Sequence, residues 1–388
     1  MAIPLRYNLR SLVIRWRSTV ATALGIALVV AVFVMVMALA RGLVATYIST
    51  GDPRNLLVLR KGSTAESSSQ ITRDEVRQIR YLSGIARNAD GEPLASPEIQ
   101  VLVQMVRRNQ AGSAHVLLRG LGSVGIELRP HVQIRAGRMF QPGLNECIVS
   151  QRIAQRFVGC QIGDRFPGGK AQWTVVGIFD AAKSAYESEI WVDADEARAA
   201  FNRSFYGSIL LRPVADNAAV DTLTNRMESN RDLSVRVLPE TEYYKEQTNT
   251  GAPIQFLGKF LAIVMSIGAV FSAMNTMYAA VGARSREIGT LRVLGYKRRD
   301  IYVSFLIESL LLALLGGVLG CLMALPLNGL ATGTLSWNSF TEVAFEFRIT
   351  GELLAKGMVF ALVMGALGGL LPARLAARKP VLDALRSI

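Results

Sequence analysis

The first long apolar stretch of the chain reads RSTVATALGIALVVAVFVMVMALAR, Arg17–Arg41, and carries no charge between its two terminal arginines. At about 1.5 Å per residue, a helix of this length crosses a hydrocarbon core of roughly 30 Å. Comparable runs occupy residues 260–283, 301–326 and 357–373, and only Glu308 interrupts them. The sequence therefore predicts four membrane-spanning helices.

Basic residues are concentrated beside these runs. Residues 1–17 carry four arginines and no acid, residues 284–300 carry six bases against two acids, and residues 374–388 carry four bases against one acid. Residues 41–255 are nearly balanced, with 26 bases and 23 acids. Basic flanks of membrane helices stay on the cytoplasmic side. All three basic segments fall on one side of a four-span topology, so both termini are predicted to be cytoplasmic.

The predicted fold is an α-helical membrane protein with four transmembrane helices plus an α+β extracytoplasmic domain. Because the first seventeen residues place their leucines on one helical face with arginines beside it, they predict an amphipathic helix on the inner leaflet, against the simpler alternative of a basic flank. The predicted segments are the amphipathic helix at 1–17, spans at 18–44, 256–283, 301–328 and 356–374, the extracytoplasmic domain at 45–255, a cytoplasmic loop at 284–300, a short external loop at 329–355 and a cytoplasmic tail at 375–388.

Two alternative interpretations fit the data less well. Ala38-Leu39-Ala40 resembles a cleavage site for a signal peptide, but the preceding apolar run exceeds the usual 7–15 residues. The net charge of +13 is also compatible with nucleic-acid binding. However, the charge is not concentrated on the large polar domain, and 51% of the residues are hydrophobic, so no nucleic-acid partner is expected.

The polar domain alternates short β-type runs with helical runs. A capping box, Thr72-x-x-Glu75, opens one of the predicted helices. The order of the runs predicts two strand–helix–strand units, at 55–119 and 190–238, with a β-rich insertion between them.

Residues that perform chemistry are scarce. The chain has two histidines and three cysteines, with no spacing typical of a zinc site and no recognisable nucleophile–base pair. We therefore expect no catalytic residue, metal or cofactor on this chain. Cys147 and Cys160 lie in the predicted extracytoplasmic domain, where a disulfide and two buried thiols are both open alternatives.

The loop between the second and third spans reads ARSREIGTLRVLGYK, residues 283–297. Ile288, Leu291 and Leu294 recur at near-helical spacing among basic residues, which predicts a short amphipathic helix with an apolar strip. Such a strip either packs on lipid headgroups or docks a cytoplasmic partner.

Further motifs accompany this loop: Asn275-Thr276-Met277 before it, Glu308-Ser309-Leu310 and Leu315-Gly316-Gly317-Val318-Leu319-Gly320 after it, Pro372-Ala373-Arg374-Leu375-Ala376-Ala377-Arg378 and Pro380-Val381-Leu382-Asp383-Ala384-Leu385-Arg386 at the C-terminus, and Asn8-Leu9-Arg10, Leu24-Gly25-Ile26 and Trp173-Thr174-Val175-Val176-Gly177-Ile178 upstream. Together they resemble the FtsX/MacB-type ABC transporter permeases. The resemblance is closest over residues 260–388, weaker over 1–45 and only architectural over most of 45–255.

The resemblance implies a dimeric permease, built from two identical copies or from a copy and a paralogue, in contact with membrane lipid. It also implies a cytoplasmic ATPase that docks on a coupling helix and moves the external domain mechanically. The predicted docking residues are Arg284, Arg286, Glu287, Ile288, Gly289, Leu291, Arg292, Leu294 and Gly295. Because the phosphate loop Gly-x-x-x-x-Gly-Lys-Ser/Thr does not occur in the sequence, ATP and Mg²⁺ are expected on a separate subunit.

Small residues one turn apart in the spans predict close helix packing. The pairs are Gly268 with Ser272, Gly316 with Gly320, and Gly365 with Gly369. Glu308 lies inside the third span, where a carboxylate is costly, so it is expected to face a polar partner or the interface. A structural or coupling role and a proton relay are its two alternatives.

Two functions from different classes fit this chain. The first is export or extraction of a lipoprotein, peptide, lipid or amphiphilic drug, with a periplasmic adaptor as an additional partner. The second is an FtsX-like signalling scaffold that regulates a cell-wall hydrolase. The size and doubled plan of the external domain favour export, while the substrate and its contact residues are not predictable from the sequence.

Overall fold

The structure, a computed structural model, describes residues 10, 13–14, 16–108, 112–248, 252–335 and 342–378. Most of the predicted amphipathic helix at 1–17 and of the tail at 375–388 lies outside these residues. The chain divides into two compact units. The helical unit comprises the described parts of Met1–Arg41, Pro253–Leu330 and Glu346–Ile388, and the large domain comprises those of Gly42–Ala252 and Ala331–Phe345.

The helices and strands alternate through the chain. In order they are α1 (Trp16–Ile48), β1 (Leu56–Arg60), α2 (Arg73–Arg80), β2 (Ala95–Val106), β3 (Ser113–Leu121), β4 (Gln133–Gly137), β5 (Glu146–Ser150), α3 (Gln151–Arg156), β6 (Arg165–Gly168), β7 (Ala171–Asp180), β8 (Glu189–Asp193), α4 (Ala194–Ala200), β9 (Ser208–Leu211), α5 (Asn217–Ser229), β10 (Val235–Pro239), α6 (Glu240–Thr248), α7 (Ala252–Ala283), α8 (Ser285–Val293), α9 (Arg298–Ala324), β11 (Ala331–Leu335), β12 (Glu342–Glu346) and α10 (Gly351–Arg378).

Four helical segments in the described residues are long and apolar enough to cross a membrane. They are Trp16–Ile48, Phe260–Ala283, Arg298–Leu327 and Gly351–Arg378. The fold class predicted from the apolar runs is therefore confirmed. The last helix begins at Gly351, five residues before the predicted start at residue 356, and its first turns contain an i,i+4 ion pair of 2.7 Å between Glu352 and Lys356.

Glycines set the closeness of helix packing in the helical unit. A Cβ added at Gly316 would lie 2.8 Å from Ile26 Cβ, and one added at Gly320 would lie 2.6 Å from the carbonyl oxygen of Ala27. Real Cβ atoms do not approach other heavy atoms so closely, so α9 packs against α1 backbone to backbone. This is the geometry that small residues permit in membranes, where the hydrophobic effect does not hold helices together.

The large domain contains a ten-stranded mixed sheet. Its strands run in the order β10-β1-β9-β2-β3-β8-β5-β7-β4, and β6 pairs with β7. The pairs β3–β8 and β5–β7 are parallel, and the others are antiparallel. The capping box predicted at the start of α2 is present, since the Thr72 side chain accepts from the Glu75 amide and the Glu75 carboxylate accepts from the Thr72 amide.

The sheet covers two apolar cores, and the two predicted units, 55–119 and 190–238, both contribute strands to it. Strand β1 from the first unit pairs with β9 and β10 from the second, so they form one sheet together. The twelve residues of β2 run from one core, at Ala95, into the other, at Ile99 to Met105. Because one continuous strand contributes to both cores, the sequence of β2 contains no signal that separates them.

Candidate functional site: the segment between the second and third spans

The chain bends sharply where α7 gives way to α8. Arg284 leaves helical geometry, with φ −107° and ψ 20°, and α8 begins at Ser285. Gly295 closes α8 in the left-handed region, at φ 95°, which glycine adopts without steric cost. The Tyr296 amide then donates to the Leu291 carbonyl at 3.1 Å. These local signals make α8 a separate short helix between two spans.

One face of α8 is buried in the helical unit. Arg284, Ser285, Ile288 and Gly289 are buried. Ile288 is 2% exposed and belongs to an apolar cluster with residues of α7, α9 and α10, namely Met277, Val281, Ile301, Phe305, Leu312, Ala373 and Ala376. The helix is therefore held against the spans by its own side chains.

An ion pair fixes the start of α8 to the third span. Arg284 Nη1 lies 3.0 Å from Glu308 Oε2, and both side chains are under 10% exposed. Glu308 is ten residues into α9, about 15 Å along its axis. A carboxylate buried at this depth is costly unless it is paired, and Arg284 supplies the polar partner that the sequence led us to expect for Glu308.

The opposite face of α8 is open. Arg286, Glu287 and Thr290 are exposed, and the apolar side chains of Val293 and Leu294 are 65% and 69% exposed. Gly295 is also exposed, whereas Leu291 and Arg292 are half-buried. The segment therefore presents two bare apolar side chains next to charged ones.

The predicted docking strip of Ile288, Leu291 and Leu294 needs correction. Residues spaced at i, i+3 and i+6 drift by about 60° per step around a helix. Ile288 consequently faces the spans while Leu294 faces outward. Arg284 and Gly289, also predicted as docking residues, are buried with Ile288. Within residues 284–295, all of which the structure describes, the exposed apolar surface is made by Val293 and Leu294.

The predicted helix-packing residues differ in their surroundings. Gly316 and Gly320 lie against α1, a Cβ added at Gly365 would overlap Ala313 Cβ, and one added at Gly369 would lie 2.5 Å from Ser309 Cβ. Gly268 has open space around it, with nothing within 4 Å of an added Cβ, and Ser272 is exposed. Among the residues that the structure describes, the Gly268–Ser272 pair therefore makes no close packing contact at Gly268.

Comparison with known proteins decides the family. The model of the FtsX-like permease C-terminal region matches residues 259–381, and the model of the MacB-like periplasmic core domain matches residues 19–230, more than half of the chain. The chain belongs to the MacB/FtsX-type ABC transporter permeases. The permease is 26% identical over 395 residues to the macrolide export ATP-binding/permease protein MacB of Pasteurella multocida, with 94% of this chain and 57% of the relative covered.

Other relatives cover smaller parts. The pyoverdine export ATP-binding/permease protein PvdT of Pseudomonas entomophila is 29% identical over 263 residues, 63% of this chain and 38% of that protein. The ABC transporter permease YknZ of Bacillus subtilis is 32% identical over 130 residues, 34% of this chain and 30% of that protein. Nearly the whole permease aligns with two of the ATP-binding/permease relatives, but it spans only 57–60% of their length.

Two solved structures similar to the permease are of isolated external domains. The periplasmic region of MacB from Actinobacillus actinomycetemcomitans is 13% identical, covers 50% of this chain and 92% of that chain, and has a TM-score of 0.39. The extracellular domain of YknZ from Gram-positive bacteria is 14% identical, covers 47% of this chain and 99% of that chain, and has a TM-score of 0.36.

Sequence reasoning missed a network of buried charges in the large domain of the permease. Arg119 is 2% exposed and bonds three carboxylates at 2.8–2.9 Å, those of Glu66, Glu98 and Glu189. Arg129 forms a bidentate pair with Glu98, at 2.7 Å for both contacts. Burial raises the pKa of Glu98, but Arg129 and Arg119 outweigh that effect and leave the pKa lowered. No sequence motif marks these residues, because they are far apart along a chain rich in both charges.

The two cysteines of the large domain are separate buried thiols. Cys147 and Cys160 are free and belong to the same apolar core. Burial raises the pKa of Cys160 to about 12 and raises that of Cys147 even further from its usual range. The thiols therefore stay protonated and pack as small apolar groups. In the described residues no cluster of three or more possible metal ligands occurs.

Proposed function

We propose that the permease transmits movement from a separate cytoplasmic ATPase, docked on the open face of α8, to its large domain. In this proposal it exports an amphiphilic substrate from the outer face of the bacterial inner membrane. The chain is the non-catalytic subunit, with ATP and Mg²⁺ bound by the ATPase. A second permease copy or a paralogue completes the complex, and a periplasmic adaptor is a further partner.

The observation that carries the proposal is the construction of α8. The end of the helix exposes Val293 and the following Leu294 side by side next to charged side chains, and a docked subunit would cover this mixed surface. At the same time it is fixed to the third span through the buried Arg284–Glu308 pair. A force applied to α8 therefore reaches a membrane helix through a direct contact rather than through a flexible loop.

Chain connectivity supports the assignment of sides. Helix α7 separates α8 from the large domain, so a membrane-spanning α7 puts the two on opposite faces. The basic residues around α8 favour its cytoplasmic side. The class of cargo rests on the relatives, whose names specify macrolide and pyoverdine export.

The test is co-purification of the tagged full-length chain with its ATPase from the native host. Leu294→Asp puts a charge into the proposed apolar contact, and we expect it to reduce recovery of the ATPase at least about tenfold, the ratio that roughly 1.4 kcal/mol produces. Leu144→Asp is the matched control, since Leu144 is a 55% exposed leucine in the large domain. Mass spectrometry of the co-purified proteins identifies the remaining partners.

Equal recovery of the ATPase with wild-type, Leu294→Asp and Leu144→Asp chains would contradict the docking assignment. Recovery of a cell-wall hydrolase in place of an adaptor would favour the signalling alternative over export. No ATPase with the folded wild-type chain would contradict the proposal as a whole.

A further inference from the structure

The large domain is entered and left by two segments that lie side by side. The entry segment, residues 49–55, follows α1, and the exit segment, residues 239–248, precedes α7. The Glu240 amide donates to the Asn55 carbonyl at 3.0 Å, next to the paired residues Leu56 and Pro239. A Cβ added at Gly51 would lie 2.9 Å from Thr241 Cα, so the two backbones touch and a glycine is required there.

The carboxylate of Glu240 holds these segments together. It is 2% exposed. Its Oε2 accepts from the Asp52 amide at 3.0 Å and from Asn55 Nδ2 at 2.9 Å, and its Oε1 accepts from the Tyr186 hydroxyl at 2.9 Å. One buried side chain of the exit segment thus binds the entry segment twice and a separate turn once.

The entry segment is also fixed to the rest of the domain. Asn55 Nδ2 donates to the Leu128 carbonyl at 2.9 Å, and Asn55 Oδ1 accepts from Arg212 Nη2 at 2.9 Å. Thr50 Oγ1 accepts from the Ala185 amide at 2.8 Å. The contact of Glu240 with the entry segment is therefore part of a junction that includes both segments and the turn at Ala185–Ser188.

A simpler role for Glu240 is to stabilise α6, because an acid in the first turn interacts favourably with a helix N-terminus. The hydrogen bonds argue for more than this. All three donors named above belong to residues outside α6, and two of them belong to the entry segment. Burying a carboxylate is costly, and burial raises the pKa of Glu240, with Arg129 as the main opposing charge. An exposed acid would stabilise the helix without that cost.

We propose that Glu240 is a positioning residue that locks the entry and exit segments into one rigid junction, so that the first two spans move the large domain as a unit. The inference rests on the proposed function for its consequence, because the lock transmits movement only if the ATPase moves the spans. The lock itself is a property of the full-length chain with or without the ATPase.

Hydrogen exchange of the full-length permease in lipid nanodiscs tests both parts. Glu240→Gln keeps the shape but replaces one of the two accepting carboxylate oxygens with an amide NH₂ group, which only donates, and removes the charge. We expect the backbone amides of the entry and exit segments to exchange roughly 10–100-fold faster, because the variant loses buried hydrogen bonds to a charged group. The factor should be similar in the two segments. Glu246→Gln is the matched control, since Glu246 lies on the same helix in an exposed pair with Arg236.

The outcome in the entry segment decides between the two roles. Faster exchange in the exit segment alone would mean that Glu240 only stabilises α6, which would overturn the proposal. Unchanged exchange in both segments would also overturn it. If Glu240→Gln fails to accumulate, Tyr186→Phe removes a single donor to the same carboxylate. It is expected to accelerate exchange in both segments by a smaller factor, and no change in either would contradict the lock.

A second arm adds the ATPase, Mg·ATP and vanadate to trap the nucleotide. In the wild-type complex, trapping is expected to change exchange in α8 and in both segments together. In Glu240→Gln the response of α8 should persist while the two segments respond unequally. Absence of any response in the wild-type complex would count against the proposed function and leave the nucleotide-free result on the lock intact.

Discussion

Arg284 in the helical unit faces Glu308 in an ion pair at 3.0 Å, whereas Arg119 in the large domain bonds three carboxylates and shares one of them with Arg129. All five side chains of this network, the two arginines and the three glutamates, are buried, as are both partners in the helical unit. The difference shows two uses of buried charge. A pair joins two elements at one point, while a network fixes several strands at once and fails as a whole when a member is removed.

The largest effect is expected for Arg119→Met. This change leaves Glu66, Glu98 and Glu189 in a buried site with only Arg129 to neutralise them. We expect the large domain to lose about 3–5 kcal/mol of stability, the range for breaking a buried ion pair. Denaturant unfolding followed by tryptophan fluorescence measures this, because Trp173 and Trp191 are both fully buried in this domain.

The matched control for Arg119→Met is Arg135→Met, since Arg135 forms an ion pair with Asp180 and its side chain is 57% exposed. We expect this control to change stability little. Similar losses for both variants would mean that the network around Arg119 contributes no more than a surface ion pair.

An intermediate effect is expected for Glu308→Met, which leaves the Arg284 charge buried. We expect a loss of about 2–4 kcal/mol, together with weaker ATPase stimulation as α8 loses its anchor. The double variant Arg284→Met/Glu308→Met removes both charges and should recover most of the stability but not the coupling. Thermal unfolding in detergent and ATP turnover of the complex measure the two properties.

Equal stability of the single and double variants would contradict a direct pair. Full ATP stimulation in the double variant would show that the pair serves stability alone and does not transmit movement.

The two regions also differ in how far the sequence predicted them. In the spans an acid or a glycine stands out against an apolar background, so Glu308, Gly316 and Gly365 were recognised from the sequence. Gly317, Gly357 and Gly368 also pack closely but were not singled out, with added Cβ atoms at 2.8–2.9 Å from neighbouring side chains. In the large domain, Glu66 and Glu98 are two acids among 23 in residues 41–255, so nothing marked them before the strands brought them together.

Within the large domain, the strands differ in how clearly the sequence marks them. Strand β7 is clearly marked, because Trp173, Val175 and Phe179 face the core from alternate positions. Strand β4 is marked less clearly, because its alternating apolar residues Ile134 and Ala136 are few and every residue in the strand is exposed. Strand β6 contains Pro167 and ends at Gly168, residues that usually argue against a strand.

A smaller effect is expected from adding one methyl group to a packed glycine. Gly365→Ala puts its Cβ into Ala313, and we expect a loss of about 1–3 kcal/mol from overpacking. Gly268→Ala is the matched control in another span and should stay within about 0.5 kcal/mol of wild type, since nothing lies within 4 Å of its Cβ. Thermal unfolding of the detergent-solubilised chain compares them.

Equal losses for the two glycine variants would contradict the packing of α10 against α9. A loss at Gly268 that appears only at protein concentrations favouring oligomers would instead assign its open face to a second permease copy.

The smallest effect concerns a charge pair at the domain surface. A hydrogen bond from Arg138 lowers the pKa of Glu146, and burial opposes this shift. Since the folded pKa lies below the unfolded one, the pair stabilises the domain above the unfolded pKa, and this contribution disappears as the pH falls through the folded pKa. Arg138→Gln should therefore lower stability slightly at neutral pH and not at all in strong acid. A pH series of unfolding curves measures this, and an equal offset at every pH would show that the substitution acts through packing instead of through the charge of Glu146.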